Sequence, residues 1–171
     1  MDYEKKSGNS LKGGFTMSKV IMMVGIPGSG KTTFCKEYLK DWKYVSRDEI
    51  RFSLLKDNDD YFAREEEVFK KFVQTVNQHI ENGDNVIIDA THISKKSRKK
   101  VLSRLARPTL IPLSDIYCIY MKTPFGTVLN RNRLREGRAY VPEDAICSMS
   151  QAFEMPELNE GFTKIITIEG R

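Results

Sequence analysis

Residues 24–33 read VGIPGSGKTT and directly follow an apolar run. From Gly25 to Thr32 they match the pattern G-x-x-x-x-G-K-[ST], in which successive backbone N–H groups surround a chain of phosphates. The glycines permit backbone angles and close approaches that a Cβ atom would forbid. The stretch therefore predicts a phosphate-binding loop that connects a strand to a helix beginning near Lys31.

The side chains at the end of this loop indicate a nucleoside triphosphate as the ligand. Lys31 suits the β- and γ-phosphates as a point charge, and the Thr32 hydroxyl suits Mg²⁺. The helix N-terminus adds about half a positive charge at the same place. We therefore predict ATP, or another nucleoside triphosphate, and Mg²⁺ as cofactors. The loop residues expected to contact the nucleotide are Gly25, Pro27, Gly28, Ser29, Gly30, Lys31, Thr32 and Thr33.

Short apolar runs alternate along the chain with stretches of helical period, of which the clearest extends from Arg64 to Asn82. Strand and helix in alternation favour right-handed crossovers. We expect an α/β fold with a mostly parallel central sheet of four to five strands and helices on both faces. Ligands of such sheets bind beyond the carboxyl ends of the strands. The predicted strands read KVIMMVG, KYVS, NVIIDA, DIYCIYM and KIITI.

Length and composition indicate one domain with a sizeable core, since the chain has 171 residues and 40% hydrophobic content. The formal net charge of +5 favours an anionic partner, although a solvated basic surface explains it equally well. Cys35, Cys118 and Cys147 lie far apart, which indicates a reducing compartment and no structural zinc. No apolar run has the length of a membrane span. We predict a cytoplasmic protein without a membrane partner, and the sequence permits a homo-oligomer.

The first 16 residues, MDYEKKSGNSLKGGFT, contain few large apolar side chains. Such a segment buries too little surface to offset its ordering entropy. We therefore expect residues 1–16 to be a disordered tail or leader and residues 17–171 to form the domain.

The second predicted strand ends in VSRDEIR, residues 45–51. Asp48 could accept the proton of an attacking hydroxyl, and Arg51 could bind a phosphate of the acceptor. If a helix begins here, these two side chains lie on one face because they are three residues apart. A structural interpretation also fits, since Ser46 and Glu49 match the S-x-x-E capping box and Asp48 complements the helix dipole.

The third predicted strand ends at Asp89, which is expected to bind Mg²⁺ directly or through water. An aspartate after an apolar strand is also a common beginning of a turn. His79 and His92 are isolated histidines without a metal-ligand partner, and we assign no role to either.

Residues 131–145, RNRLREGRAYVPEDA, contain Arg131, Arg135 and Arg138 at spacings of four and three. On a helix these arginines would form one stripe suited to phosphate oxygens. Gly137 and the pair Val141-Pro142 would let the segment act as a hinged lid. By contrast, the basic run in residues 94–107 fits a solvated face.

Together these stretches resemble the 5′-OH polynucleotide kinase family, P-loop phosphotransferases typified by a phage enzyme. The resemblance covers nearly the whole chain from Met17, with the motifs in the family's order. It implies a P-loop kinase fold with a helical lid, in which Lys31 and Thr32 serve the triphosphate and the metal. The motifs that carry it read GIPGSGKTT, SRDEIR, IIDATH, RNRLREGR and VPEDAI, followed by a similar FEMPELNEGF ending.

The resemblance also implies an activity, namely transfer of the γ-phosphate of ATP to the 5′-hydroxyl end of DNA or RNA. Nucleic acid with a 5′-OH end is then the substrate partner. Asp48 is implied as the general base and Arg51 as the contact to the acceptor's phosphate. Arg135 is implied as the lid arginine, with Arg131 and Arg138 beside it.

Two features depart from the family's pattern. The phage enzyme has an aspartate immediately before the threonine of the third motif, where this chain has Ala90, and the acid here is Asp89. That form also occurs in related kinases of small molecules. The lid is one residue longer before Val141-Pro142. Two alternatives therefore remain: a kinase of a small hydroxylated metabolite, nucleoside or aminoacyl-tRNA, and a nucleotide-binding module that is not a kinase.

Overall fold

A computed structural model of the chain describes residues 18–56, 58–105 and 115–170. The predicted leader of residues 1–16 lies outside these ranges. So does the end of the basic run in residues 94–107. Within the described ranges the fold has one sheet with helices packed on both of its faces.

Five parallel strands form the sheet in the order β2-β3-β1-β4-β5. All five predicted strands are confirmed, and every pairing between neighbours is parallel. Asp89, the last residue of β3, is paired with Ser46 of β2 and with Met23 of β1. The carboxyl ends of three strands therefore meet at one edge, where the predicted site residues lie. The strands are β1 Lys19–Val24, β2 Lys43–Ser46, β3 Val86–Asp89, β4 Asp115–Lys122 and β5 Lys164–Glu169.

Alternate side chains of each strand point to opposite sides of the sheet. Because the central strands are apolar at successive positions, both faces need cover, and helices provide it. On one face, Phe72 and Val76 of α3 pack with Met22 of β1. On the other face, Cys35 of α1 packs with Met23. Within the described ranges, no helix has the length and apolar character to cross a membrane. The helices are α1 Lys31–Tyr38, α2 Arg47–Leu54, α3 Glu65–Glu81, α4 Lys95–Leu102, α5 Phe125–Arg133 and α6 Glu143–Gln151.

Arg98 of α4 is an exception to the predicted solvated face of the basic run, in which Lys96, Lys99 and Lys100 are exposed. Its side chain is fully buried and forms an ion pair with Glu160 through Nε at 2.7 Å and Nη2 at 2.9 Å. Nη1 donates to the carbonyl oxygens of His92 and Glu154, each at 2.9 Å, and Nη2 also donates to that of Met155 at 3.3 Å. All five N–H groups thus have partners, as a buried charge requires. The arginine fixes the chain near residues 154–160 to the loop after β3.

His92, in that same loop, has a φ of +48° and a side chain that is 3% exposed. Burial lowers the pKa of its imidazole to about 3, and the positive charges of Arg47, Lys31 and Arg98 act in the same direction. The ring is therefore neutral in the folded protein at pH values where an exposed histidine would be charged.

We expect acid to destabilise the fold through His92. Between pH 6.5 and pH 4.5 the unfolded chain binds a proton that the folded chain cannot bind, so the free energy of unfolding falls by about 2 kcal/mol. Denaturant unfolding at the two pH values measures this loss. The variant His92→Asn should lose less, because asparagine tolerates a positive φ and does not titrate. Equal losses in both proteins would assign the acid sensitivity to other groups.

Candidate active site

The loop between β1 and α1 has the backbone that the sequence predicts. Gly25, Gly28 and Gly30 have φ values of +151°, +85° and +98°. A Cβ atom on Gly28 would lie 2.8 Å from the carbonyl oxygen of Val128, closer than any side chain tolerates. Gly30 is the N-cap of α1 and offers no side chain to its first N–H groups. These donors are consequently left for an anionic ligand.

Lys31 is directed back along this loop. Its Nζ atom donates to the carbonyl oxygens of Gly25 at 2.7 Å and Ile26 at 3.2 Å. Burial lowers the pKa of the amine, the carboxylates of Asp89 and Asp48 raise it, and the Arg135 guanidinium lowers it. Three further residues predicted separately from the sequence, Asp48, Asp89 and Arg135, therefore act electrostatically on Lys31 at the carboxyl edge of the sheet.

Asp89 at the end of β3 is 6% exposed. Its Oδ2 atom accepts from the Thr32 hydroxyl at 3.2 Å and from the Tyr44 hydroxyl. Its Oδ1 atom is buried and has no hydrogen-bond partner among the described residues. A buried carboxylate oxygen without a donor, beside a hydroxyl, could hold a hard divalent cation. Tyr44 was not predicted, because a tyrosine within a strand looks like an ordinary core residue until the pairing of β2 with β3 is known.

No group of three or more His, Cys, Asp or Glu side chains within the described ranges could hold a metal ion. A cation at Thr32 and Asp89 would thus need further oxygen ligands from a phosphate or from water. That mode of binding is usual for Mg²⁺ at a nucleotide.

Asp48 lies in the first turn of α2, and its side chain is 60% exposed. Its Oδ1 atom accepts from Arg51 Nη1 at 2.6 Å and from the Tyr61 hydroxyl at 2.8 Å. The predicted shared face of Asp48 and Arg51 is thereby confirmed. The cap is present too, since Ser46 Oγ accepts from the Glu49 N–H at 3.3 Å. Because Ser46 supplies the cap, Asp48 remains available for another role.

Arg51 is almost fully buried, and two carboxylates balance its charge. Besides Asp48 it binds Glu65, with Nη2 2.5 Å from Oε2, and its guanidinium lies 4.3 Å from the ring centroid of Tyr61. Glu65 also pairs with Arg47. Sequence reasoning missed Glu65, since it begins a run of three glutamates that looks like a complement to the dipole of α3.

The three arginines of the lid segment do not form one helical stripe, so that prediction is wrong. Helix α5 ends at Arg133, which leaves Arg135 and Arg138 beyond it. The cause is Asn132, a buried side chain whose Nδ2 atom donates to the Val141 carbonyl at 2.7 Å while its Oδ1 atom accepts from the Val141 N–H at 3.1 Å. The chain must turn back to make these bonds.

As a result the arginines reach different parts of the site. Arg131 Nη1 lies 3.4 Å from the carbonyl oxygen of Gly28 in the phosphate-binding loop. Arg138 Nη2 donates to the carbonyl oxygen of Lys56, after α2, at 3.1 Å. Arg135 lies between them in sequence and donates to the Ala139 carbonyl at 3.4 Å. The segment thus connects the loop to the Asp48 side of the site.

Comparisons with known proteins agree with the fold described above. The model of the AAA domain family matches residues 20–156. The bifunctional polynucleotide phosphatase/kinase of Schizosaccharomyces pombe is 25% identical over 150 residues, with 86% of this chain and 32% of that protein covered. A chain of the solved Pnkp1/Rnl/Hen1 RNA repair complex is 26% identical with a TM-score of 0.67, with 82% of this chain and 45% of that chain covered.

A sugar kinase from Janibacter sp. has the same fold, with a TM-score of 0.62 at 17% identity, and 90% of this chain and 85% of that chain are covered. At that identity the likeness shows the fold alone. The present chain spans less than half of the fission yeast protein and of the matched chain in the RNA repair complex. The predicted P-loop kinase fold and the resemblance to polynucleotide kinases are confirmed.

Proposed function

The chain belongs to the AAA domain family, and from this membership and its P-loop kinase fold we propose that it transfers the γ-phosphate of ATP to the 5′-hydroxyl end of DNA or RNA. The observation that carries the proposal is the pair formed by Asp48 and Arg51, joined at 2.6 Å. This pair combines a partly exposed carboxylate with a guanidinium at the edge of the sheet where the phosphate-binding loop lies. An acceptor that has both a hydroxyl and a nearby phosphate requires these two groups in its site, a carboxylate to accept the hydroxyl proton and a guanidinium to bind the phosphate.

On the donor side, the loop amides and Lys31 bind the β- and γ-phosphates, and Thr32 and Asp89 are the residues that would hold Mg²⁺. The buried Oδ1 atom of Asp89, which has no donor among the described residues, supports this assignment. Bound Mg²⁺ would neutralise negative charge on the phosphates. Lys31 must exchange its bonds to the loop carbonyls for phosphate oxygens when the nucleotide binds.

On the acceptor side, Asp48 takes the proton of the attacking hydroxyl. The new bond joins the hydroxyl oxygen to the γ-phosphorus, and the bond from that phosphorus to the β–γ bridging oxygen breaks. Arg51 binds the next phosphate of the acceptor, while Arg135 neutralises the charge of the group in transfer. Arg131 and Arg138 assist on the nucleotide and acceptor sides respectively, in keeping with their contacts at 3.4 Å and 3.1 Å.

Transfer of label from γ-labelled ATP tests the proposal. The acceptors are 5′-OH oligonucleotides of DNA and RNA, the same oligonucleotides with 5′-phosphates as matched controls, nucleosides and simple sugars. We expect label only on the 5′-OH oligonucleotides, with acceptor binding that weakens steeply as salt is raised. Label on nucleosides or sugars alone would favour a small-molecule kinase. ATP turnover without any labelled acceptor would favour a nucleotide-binding module that hydrolyses ATP.

We expect Arg51→Ala to raise the KM for the oligonucleotide more than the KM for ATP, on the order of tenfold, because a hydrogen bond to a charged group is lost. Steady-state kinetics with each substrate varied in turn measures both constants. Thermal unfolding must accompany them, since Arg51 is buried. Arg133→Ala is the matched control, as its exposed ion pair with Glu143 at 2.7 Å lies outside the proposed contacts. Equal increases in the two constants would remove Arg51 from the acceptor site.

We also propose that residues 17–171 form the catalytic domain and that the protein is cytoplasmic. The three cysteines support the second proposal, since each carries a free thiol in the structure.

A further inference from the structure

Tyr61 adjoins the proposed general base, and both Tyr61 and the neighbouring Phe62 expose their aromatic rings. Phe62 is 64% exposed and Tyr61 is 40% exposed, and the Tyr61 hydroxyl lies 2.8 Å from Asp48 Oδ1. The proposed transfer reaction gives neither ring a role. Large aromatic rings held at the surface beside a reacting group call for an explanation, because burying them would be favourable.

The rings form an ordered cluster with cations around it. Tyr61 and Phe62 are perpendicular, with centroids 4.9 Å apart, and Phe52 lies 6.2 Å from Tyr61. The Arg51 guanidinium lies 4.3 Å from the Tyr61 centroid and 5.9 Å from that of Phe62. Arg138 of the lid segment lies 6.0 Å from the Phe52 centroid. Guanidinium groups thus adjoin the aromatic surface on two sides.

Specific bonds fix the turn that presents these rings. The Phe62 N–H donates to Asp60 Oδ1 at 2.8 Å, and the Ala63 N–H donates to the Asp60 carbonyl at 3.0 Å. Arg64 Nη1 donates to the carbonyl oxygen of Leu54, the last residue of α2, at 2.7 Å. The aspartate forms the side-chain-to-backbone bond typical of a tight turn. The exposure of Phe62 is therefore imposed by the local structure.

We propose that Phe62, held in place by its perpendicular contact with Tyr61, forms a platform on which the base of the acceptor's terminal nucleotide stacks. This inference rests on the proposed function and adds to it that the site recognises a nucleobase, not only a phosphorylated alcohol. Proteins bind single strands by combining aromatic stacking with cationic contacts to the backbone, and here both lie beside the carboxylate that would receive the hydroxyl proton. Stacking is tolerant of sequence, so all four bases should be accepted.

The first test uses the unaltered protein and two 5′-OH oligonucleotides that differ only at the terminal nucleotide, which either carries a base or is abasic. Both retain the hydroxyl and the phosphates. We expect the abasic acceptor to show a kcat/KM lower by about 5- to 100-fold, the range that corresponds to the loss of one stacked base. An oligonucleotide that is abasic far from the 5′ end is the control and should react normally.

The second test uses variants of Phe62, which touches no residue of the proposed chemistry through a hydrogen bond. Phe62→Ala should lower kcat/KM for the normal oligonucleotide by about tenfold and leave that for the abasic one unchanged, whereas Phe62→Tyr should retain the wild-type value. Tyr38→Ala is the matched control, since Tyr38 is 66% exposed and is the last residue of α1, at the opposite end from the phosphate-binding loop.

The outcomes separate this inference from the proposed function. Two results would refute the platform and leave the proposed function standing. In one, the protein labels the normal and the abasic oligonucleotide with equal kcat/KM. In the other, Phe62→Ala lowers kcat/KM equally for both oligonucleotides. If no nucleic acid is labelled, both are refuted. A discrimination against the abasic terminus that disappears in Phe62→Ala establishes the platform.

Discussion

Lys31→Ala should reduce turnover by about 10³-fold, because the variant loses the side-chain cation that the phosphate-binding loop provides for the charge of the transferred group. In the structure the Lys31 amine donates to the carbonyl oxygens of Gly25 and Ile26 at 2.7 and 3.2 Å. Those acceptors hold the side chain over the loop and so reduce the ordering required when phosphate binds. The loss should appear mainly in kcat.

Single-turnover transfer from saturating labelled ATP measures this effect, and binding of a fluorescent nucleotide shows whether the loop still takes its ligand. Lys36→Ala is the matched control, since Lys36 belongs to the same helix but to its last turn. Turnover within a few-fold of wild type in Lys31→Ala would mean that the loop does not hold the transferred phosphate, and the proposed mechanism would be abandoned.

The features that local spacing determines could be predicted from the sequence. The loop from Gly25 to Thr32 requires particular residue types at fixed positions, so its pattern is readable without any tertiary information. The strands were readable as well, since a parallel sheet covered on both faces needs uninterrupted apolar runs. The meeting of Asp48 and Asp89 at one edge followed from the same topology.

Contacts between distant segments could not be read in this way. Arg98 has the same sequence context as the exposed lysines around it, and only its pairing with Glu160, 62 positions away, explains its burial. Tyr44 reaches Asp89 because β2 and β3 are adjacent. The prediction that the arginines of the lid segment form one helical stripe was wrong for a related reason. Helical spacing assumes that the helix continues, but the bonds of Asn132 to Val141 end it.

The same correction bears on catalysis. Arg135 lies beyond the end of α5, and its guanidinium contributes to the lowered pKa of Lys31, so the two cations act on a common region. Its hydrogen bond to the Ala139 carbonyl is long, at 3.4 Å, and local. A side chain held this weakly can move onto a phosphate at little cost. Closure of the lid segment over the nucleotide therefore does not require Arg135 to lie on a rigid helix.

Arg135→Ala should therefore reduce turnover by about 10³–10⁵-fold, whereas Asp48→Asn should cost about 10²–10⁴-fold. The order follows from the loose transition state of phosphoryl transfer, in which neutralising charge matters more than removing a proton. Single-turnover rates of both variants test it, with Leu134→Ala as the control because this neighbouring side chain is 85% exposed. A greater loss in Asp48→Asn would make proton removal the dominant step. Wild-type activity in Asp48→Asn would show that Asp48 is not the general base and has only a structural role, as the ion-pair partner of Arg51 and in the first turn of α2.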